Sequence, residues 1–432
     1  MKHQQGARPH VVVVGGGFAG IAAVRALRSS PVDVTLIDRD TYTVFQPLLY
    51  QVATAGLNPG DVTYFLRAVR MRQHNLRVRQ AEVVGIDPVR RSVTFADGWC
   101  LDYDYLVLAS GATTNYFGTT GAEENARAIY TRPQALQVRD AIFTQLEHAA
   151  ESESSPDLAI VVVGAGPTGV EMAGALAEWR NDAMATVYPE LDTHRTTITL
   201  VEMGGEVLAA FAPSLRRFAR RALEVRGVDL RLNSAVAEVR RDGVQLATGE
   251  FVRAGVVVWA AGVRVPEVVG QWGVPQGRGG RISVRDDLRV DGFSEVFAAG
   301  DVALGPNALP QLAQPAIQGG RHAGRQIARL VAGQQTAPFH YHDKGTMATI
   351  GRRAAIAEIE LPLVKRSLRI WGTPAWFTWL FVHIVMLLGN RNRIATFVNL
   401  ATRYLAPRRR TNPIVGDVPI YQHRDPAERR SE

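Results

Sequence analysis

An α/β architecture, with two similar doubly wound units in one chain and a helical C-terminus, is predicted by three observations. A β-branched run ending in a glycine turn and a small-residue helix occurs twice, as VVVVGGGFAG and as IVVVGAGPTG. Each is followed by a second apolar strand that ends on an acid, VDVTLID and TITLVE. The last sixty or so residues change character, becoming apolar and arginine-rich.

In the first turn Gly15, Gly17 and Gly20 have the G-x-G-x-x-G spacing, with Phe18 and Ala19 between; in the second the glycines are Gly164, Gly166 and Gly169. Such Rossmann-like turns let bare backbone amides and a helix N-terminus meet a pyrophosphate. The closing acids, Asp38 and Glu202, stand where a carboxylate accepts hydrogen bonds from an adenosine ribose. One such motif is weak evidence. Two, each in strand, turn, helix, strand and acid context, predict two nucleotide cofactors.

Further along the first unit, EVVGIDPVRRSVTF predicts a hairpin layer that contains Val83 and turns at Asp87 and Pro88. The run YDYLVLASGA predicts a buried parallel strand delivering Ala109 and Gly111 to a cofactor. A polar stretch at 151–157 marks a boundary, and residues 181–197 look inserted before Glu202. VVVWAAGV ends the second unit, with Ala261 and Gly262 at its nucleotide. FAAGDVAL then returns the chain to the first, with Asp301 beside a helix N-terminus. The predicted division is a first cofactor domain at 1–153, continued at 276–369, a second at 154–275, and a membrane-association region at 370–432.

Composition narrows the chemistry. The single cysteine, Cys100, excludes a C-x-x-C redox pair and so the dithiol reductases. No apolar leader precedes the first strand, which predicts a cytoplasmic chain. The formal charge of +8 is nearly all arginine, with lysine only at positions 2, 344 and 365, and no aromatic platform for nucleic acid stands out among the basic residues. Arg391, Arg393, Arg403, Arg408, Arg409 and Arg410 instead flank apolar sequence, as on a surface for anionic lipid. Residues 374–388, PAWFTWLFVHIVMLL, would form a helix of roughly 22 Å, short of the roughly 30 Å hydrocarbon core. An amphipathic helix follows, with Ile394, Phe397, Val398, Ala401, Tyr404 and Leu405 along one stripe. The pair can lie in one leaflet, or pack on the protein's own core or a second copy. His340 and His342 would alternate on a strand, but without a third ligand no metal site is expected.

Two nucleotide sites suggest a relay in which a nicotinamide gives hydride and a second cofactor takes it. FAD suits the first site, since a flavin stores two electrons for a later acceptor. At the second, Glu202 is followed by Met203 and glycines, not arginine, which favours NADH over NADPH. Glu171 lies in the first turns of the second fingerprint's helix, where it can orient a nicotinamide, move protons near the flavin, or simply favour the helix N-terminus.

GGGFAG, GAGPTGVE, FQPLLYQVATAGL, WAAGV, AAGD, AQPAIQGG and the apolar, basic C-terminus together resemble the type II NADH dehydrogenases, single-subunit NADH:quinone oxidoreductases that pump no protons. The resemblance covers residues 10 to about 405 and departs from the family near Thr43 and at Gln51. It implies a glutathione-reductase-like arrangement with tightly but non-covalently bound FAD, NADH as substrate, and a membrane quinone of menaquinone or ubiquinone type. It implies that Gln314 and Gln318 line the quinone tunnel, that Glu171 serves in turnover, and that the chain is a homodimer on the cytoplasmic face of the membrane. On one helical face, both glutamine amides could meet one carbonyl-bearing ligand. Two alternatives stay open: a soluble reductase of a ferredoxin or rubredoxin, and a flavoprotein that senses NADH.

Overall fold

A computed structural model describes residues 8–152, 158–361, 366–405 and 413–419. The chain divides into two compact units, each discontinuous: Met1–Val44, Thr63–Asn115 and Val263–Lys344 form the first, and Phe45–Val62, Tyr116–Gly262 and Gly345–Glu432 the second. The helices that carry the argument are α1 (Phe18–Ala26), α2 (Leu49–Ala53), α3 (Arg132–Ala150), α4 (Pro167–Trp179), α5 (Ala313–Val331), α6 (Thr373–Met386) and α7 (Asn390–Leu405).

The first unit is organised by a parallel sheet in the spatial order Val296–Ala298, Tyr105–Leu108, His10–Val14, Asp33–Asp38, Leu76–Gln80. Its central strand is buried along Val11–Val14, which explains the unbroken valine run: a parallel strand covered on both faces has no polar side. The hairpin predicted around Asp87 is present, Val83–Asp87 against Ser92–Phe95, and gains a third strand, Cys100–Asp102. Asp87 Oδ1 accepts from the N–H groups of Val89 and Arg90 and so builds the turn. On the sheet, α5 lies against α1 at a distance only glycine permits, because a Cβ at Gly320 would strike the backbone of Ala19 and one at Gly324 that of Ala23.

The second unit repeats the arrangement. Its parallel sheet runs Arg127–Ala128, Val256–Trp259, Leu158–Val163, Thr196–Val201, Val228–Arg231, with the fingerprint strand again central. An antiparallel sheet, Thr346–Gly351, Ala354–Leu361 and Arg366–Trp371, packs on α4, where Gly174 admits the carbonyl of Ile350. The stretch expected to be inserted forms a π-helical turn, Arg180–Met184, and a short helix, Ala185–Val187.

Three expectations change. The units part at 44/45, 62/63, 115/116, 262/263 and 344/345 rather than at 153/154, 275/276 and 369/370. The cause is packing: α3 lies against the Leu158–Val163 sheet, and the hairpin after residue 345 against α4; most of 151–157 lies outside the described residues. His340 and His342 sit in irregular, exposed chain, not on a strand. The helix N-terminus expected beside Asp301 lies further along the chain, since α5 begins at Ala313 with Leu312 as its cap. The C-terminal helices form as predicted, and among the described residues no helix is long and apolar enough to cross a membrane; Arg408, Arg409 and Arg410 lie outside those residues.

Gly320→Ala is expected to cost about 2 kcal/mol or more, because the collision is with backbone that cannot yield. Urea denaturation of the purified chain reads it as a lower midpoint; an unchanged midpoint would show that α1 and α5 separate without cost.

Candidate functional site

In the first unit Gly15 has φ +104° and lies against the carbonyl of Ala109, so no other residue fits. Gly20 touches the Gly15 carbonyl, which locks α1 onto the strand. Gly17 differs. Its backbone is ordinary extended chain, φ −78° and ψ −162°, and a Cβ built on it meets no protein atom within 4 Å. Neither strain nor packing requires a glycine there, and the space it leaves is open to a ligand. Asp38 accepts from Gly16 N–H at 2.5 Å through Oδ2 and from Asp40 N–H at 2.8 Å through Oδ1. Burial raises its pKa against the pull of those two donors.

The other predicted residues of this unit fall into two groups. Ala109 backs the turn, Gly111 (φ +70°) faces open space, and Ser110 Oγ between them is buried without a partner. Gly300, at φ +81°, comes close to Ala19, while Asp301 offers its carbonyl to Gln311 Nε2 at 3.1 Å. Val83 begins its strand buried, and Ala19 is buried as the seat of α5; Phe18 opens α1. The open cradle at Gly17, the orphaned Ser110 hydroxyl and the α1 N-terminus, which no side chain caps, fit a dinucleotide cofactor.

The second fingerprint repeats the first in its backbone conformation and glycine contacts. Gly164 has φ +99° and lies against Ala261, Gly169 touches the Gly164 carbonyl, and Gly166 faces open space from an extended backbone, φ −70° and ψ −178°. Glu202 accepts from Ala165 N–H at 2.7 Å and from Gly204 N–H at 2.8 Å, the same two relative positions that serve Asp38. Gly262, at φ +65°, has the Phe117 ring where a Cβ would lie.

Glu171, on α4, is buried at 7% exposure. Its Oε1 accepts from Thr349 N–H at 3.3 Å. Burial pushes its carboxyl up to about 8, partly offset by that N–H and by the Trp379 indole, which is turned toward it without reaching hydrogen-bond geometry. Near neutral pH it therefore keeps its proton rather than acting as a helix-terminal charge. Trp379, on α6, stacks on His383 at 4.2 Å and lies 6.3 Å from the Tyr50 ring. His383 Nδ1 is 2.7 Å from the Trp379 carbonyl, which makes Nδ1 the donor and leaves Nε2 unprotonated; burial lowers its pKa to about 4. Gln46 Oε1 is buried without a partner, and Gln51 Nε2 donates to the Tyr50 hydroxyl at 2.8 Å. Motif spacing assigned none of Gln46, Tyr50, Trp379 or His383; only the polar interruption of the apolar helix by His383 hinted at it.

Gln314 and Gln318 lie on α5 in the first unit, and Glu171 in the second. Gln318 corrects the expectation that both amides face a ligand: its Nε2 donates to the His342 carbonyl at 2.9 Å and its Oε1 accepts from His342 N–H at 3.0 Å. A primary amide matches a backbone N–H and C=O at once, so Gln318 pins the 340–344 segment and keeps one N–H for other use.

The family described as pyridine nucleotide-disulphide oxidoreductase matches residues 9–320, and the NDH2 C-terminal domain matches residues 343–409. The type II NADH:quinone oxidoreductase NdhA of Mycobacterium tuberculosis is 38% identical over 410 residues, covering 90% of this chain and 86% of its own. The type II NADH:quinone oxidoreductase Ndh of the same organism is 34% identical, covering 93% and 89%. Among solved structures, NDH2 from Plasmodium falciparum in complex with NADH superposes with a TM-score of 0.84 at 20% identity, over 93% of this chain and 99% of that one. The sulfide:quinone oxidoreductase of Aquifex aeolicus gives 0.73 at 20% identity, over 92% and 96%.

Gly17→Ala should fold with an unchanged melting temperature yet lose its bound dinucleotide, read as flavin absorbance per chain. Gly166→Ala should keep flavin and raise the KM for NADH about tenfold or more. Loss of folding in either would return these glycines to a packing role. Glu171 supplies a pH signature. The folded chain holds its proton up to about 8, while an unfolded glutamate ionises near 4.5, so stability falls as pH rises between those values. His383 acts oppositely, stability rising with pH from about 4 to 6.5. The interval from 6.5 to about 8 isolates Glu171, and Glu171→Gln should flatten the decline of melting temperature there; a persisting slope assigns it to another group.

Proposed function

The chain belongs to the type II NADH:quinone oxidoreductases, and from that premise we propose how its own residues carry out NADH-to-quinone electron transfer. The observation that carries the reading is the duplicated, acid-capped glycine turn, each copy leaving a cradle its own packing does not use. The first, with Gly15, Gly17, Gly20, Asp38, Val83, Ala109, Gly111 and Asp301, would hold FAD non-covalently. When bound, the flavin takes two electrons from NADH and passes them on singly or together.

The second copy is the NADH site, with Gly164, Gly166, Gly169, Glu202, Ala261 and Gly262. Arg231, the guanidinium whose backbone pairs with Glu202, is engaged by Asp229 at 2.8 Å and Glu250 at 3.3 Å. It is thus not set for a 2′-phosphate, and Glu202 would repel one, which supports NADH over NADPH. Glu171 holds a proton at its carboxyl near neutral pH and is the group to deliver it as a quinone becomes a quinol. Gln314 would donate an amide N–H to a quinone carbonyl, and Gln318 would act with its remaining N–H while fixing His342.

A quinone is favoured over a soluble iron–sulfur partner by one surface in the second unit. Phe377, Phe381 and Val385 form an exposed stripe on α6, and Ile394, Phe397 and Val398 are exposed on α7, beside exposed Arg391 and Arg393. Such a face suits the anionic headgroup and acyl boundary of a bilayer, lying in one leaflet at the cytoplasmic face. Lipid is the occupant argued here; a second copy would compete for the same face.

With purified chain, NADH oxidation should be coupled both to a water-soluble quinone and to a long-tailed quinone in anionic vesicles. Phe377→Ser/Phe381→Ser/Phe397→Ser should keep the first rate and lose vesicle binding and most of the second, while Glu171→Gln keeps flavin and slows both. No quinone reduction by the wild-type chain overturns the functional reading. Dissociation of the triple variant to monomers with vesicle binding intact would assign the face to a dimer.

A further inference from the structure

Segment Phe45–Val62 belongs to the second unit although the chain on both sides of it belongs to the first. Phe45 N–H donates to the Val62 carbonyl at 2.8 Å and closes its neck. Inside, Phe45 meets His383 and Tyr50 meets Trp379, at ring separations of 6.0 and 6.3 Å, so the excursion walls the aromatic cluster beside Glu171.

Beside that neck stands Asp61, a carboxylate with 9% exposure. Asn399 Nδ2 donates to Asp61 Oδ2 at 2.6 Å, and Thr396 Oγ1 donates to the Asp61 carbonyl at 3.4 Å. Both donors come from α7, the helix whose opposite side exposes Ile394, Phe397 and Val398. A second tie lies at Ala55, whose carbonyl accepts from Ile414 N–H at 3.0 Å, with Ile414 in turn held by Arg139. A buried carboxylate is costly without a donor, so the Asn399 contact fixes where the excursion ends.

We propose that Asn399 is a positioning residue for quinone binding: through Asp61 it ties the outward-facing helix α7 to the Phe45–Val62 excursion and sets how that wall closes on the Glu171 cluster. The proposal rests on the reading that quinone is received at Glu171. The excursion's helix α2 packs on α4, which carries Glu171, while Asp61 itself is tied to Asn399 and Thr396 rather than to the Gly164–Gly169 turn or Glu202, so the link should govern quinone affinity and leave the KM for NADH unchanged.

The test uses the full-length, flavin-loaded chain as Asn399→Ala, as Asp61→Asn, and as the exchanged pair Asp61→Asn/Asn399→Asp. Asn399→Ala should raise the KM for a water-soluble quinone about tenfold, the scale of a lost hydrogen bond to a buried carboxylate. The KM for NADH and turnover with ferricyanide, which takes electrons without a quinone site, should stay within about twofold. Amide hydrogen exchange over 45–62 should quicken, and the exchanged pair should restore both exchange and quinone KM. An unchanged quinone KM, or NADH and quinone constants rising together, overturns the proposal, as does exchange quickened throughout the second unit. The wild-type quinone rate judges the functional reading, and the variant-to-wild-type ratio judges the latch, so the two fail separately.

Discussion

The contact on which the rest of the structure depends is between two glycines. Gly20 rests on the carbonyl of Gly15, and Gly169 on that of Gly164, so close that a single methyl group would part helix from strand. That closeness points the N-terminus of each helix across the end of its sheet, where free N–H groups and the helix dipole create a place for phosphate charge. Asp38 and Glu202 then tighten the loop by accepting from its second residue, Gly16 or Ala165, so the acid proposed to meet a ribose also shapes the turn proposed to meet the phosphates. One backbone geometry thus positions two recognition elements.

From identical turns the units diverge through what covers the helix. On α1 lies α5, admitted by Gly320 and Gly324, which brings Gly300 and the start of α5 next to Ala19. On α4 lies the hairpin begun by Thr346–Gly351, admitted by Gly174, and its Thr349 N–H reaches Glu171. Small residues in the helices decide this. Their bulk is removed where another element must approach, and the element that approaches is α5 with Gln314 and Gln318 in one unit and, in the other, the hairpin whose Thr349 N–H meets Glu171.

Sequence revealed what is local and periodic. The two fingerprints, their acids, the hairpin at Asp87 and the two C-terminal helices were legible because backbone strain, strand burial and helical spacing leave direct marks on residue choice. The unit boundaries were not, since nothing in α3 or in residues 346–371 records which sheet they pack on. The clamp of Gln318 on His342 was hidden for a related reason: an amide on a helix face looks the same whether or not it holds a backbone segment. The aromatic wall around Glu171 depends on Phe45 and Tyr50, which join Trp379 and His383 across more than three hundred residues of chain, a distance no motif spans.

The interleaving of the two units has a consequence for biosynthesis. The first sheet lacks its edge strand Val296–Ala298, and α1 its cover, until residues beyond Val331 have left the ribosome. The second lacks Thr346–Gly351 against α4 until later still. Neither unit can therefore complete its core during synthesis of the N-terminal two thirds, and long loop closures must precede the contacts that reward them. The nascent chain spends that interval with the Tyr105–Leu108 edge open and the small-residue faces of α1 and α4 uncovered, the kind of exposed surface that invites misassembly.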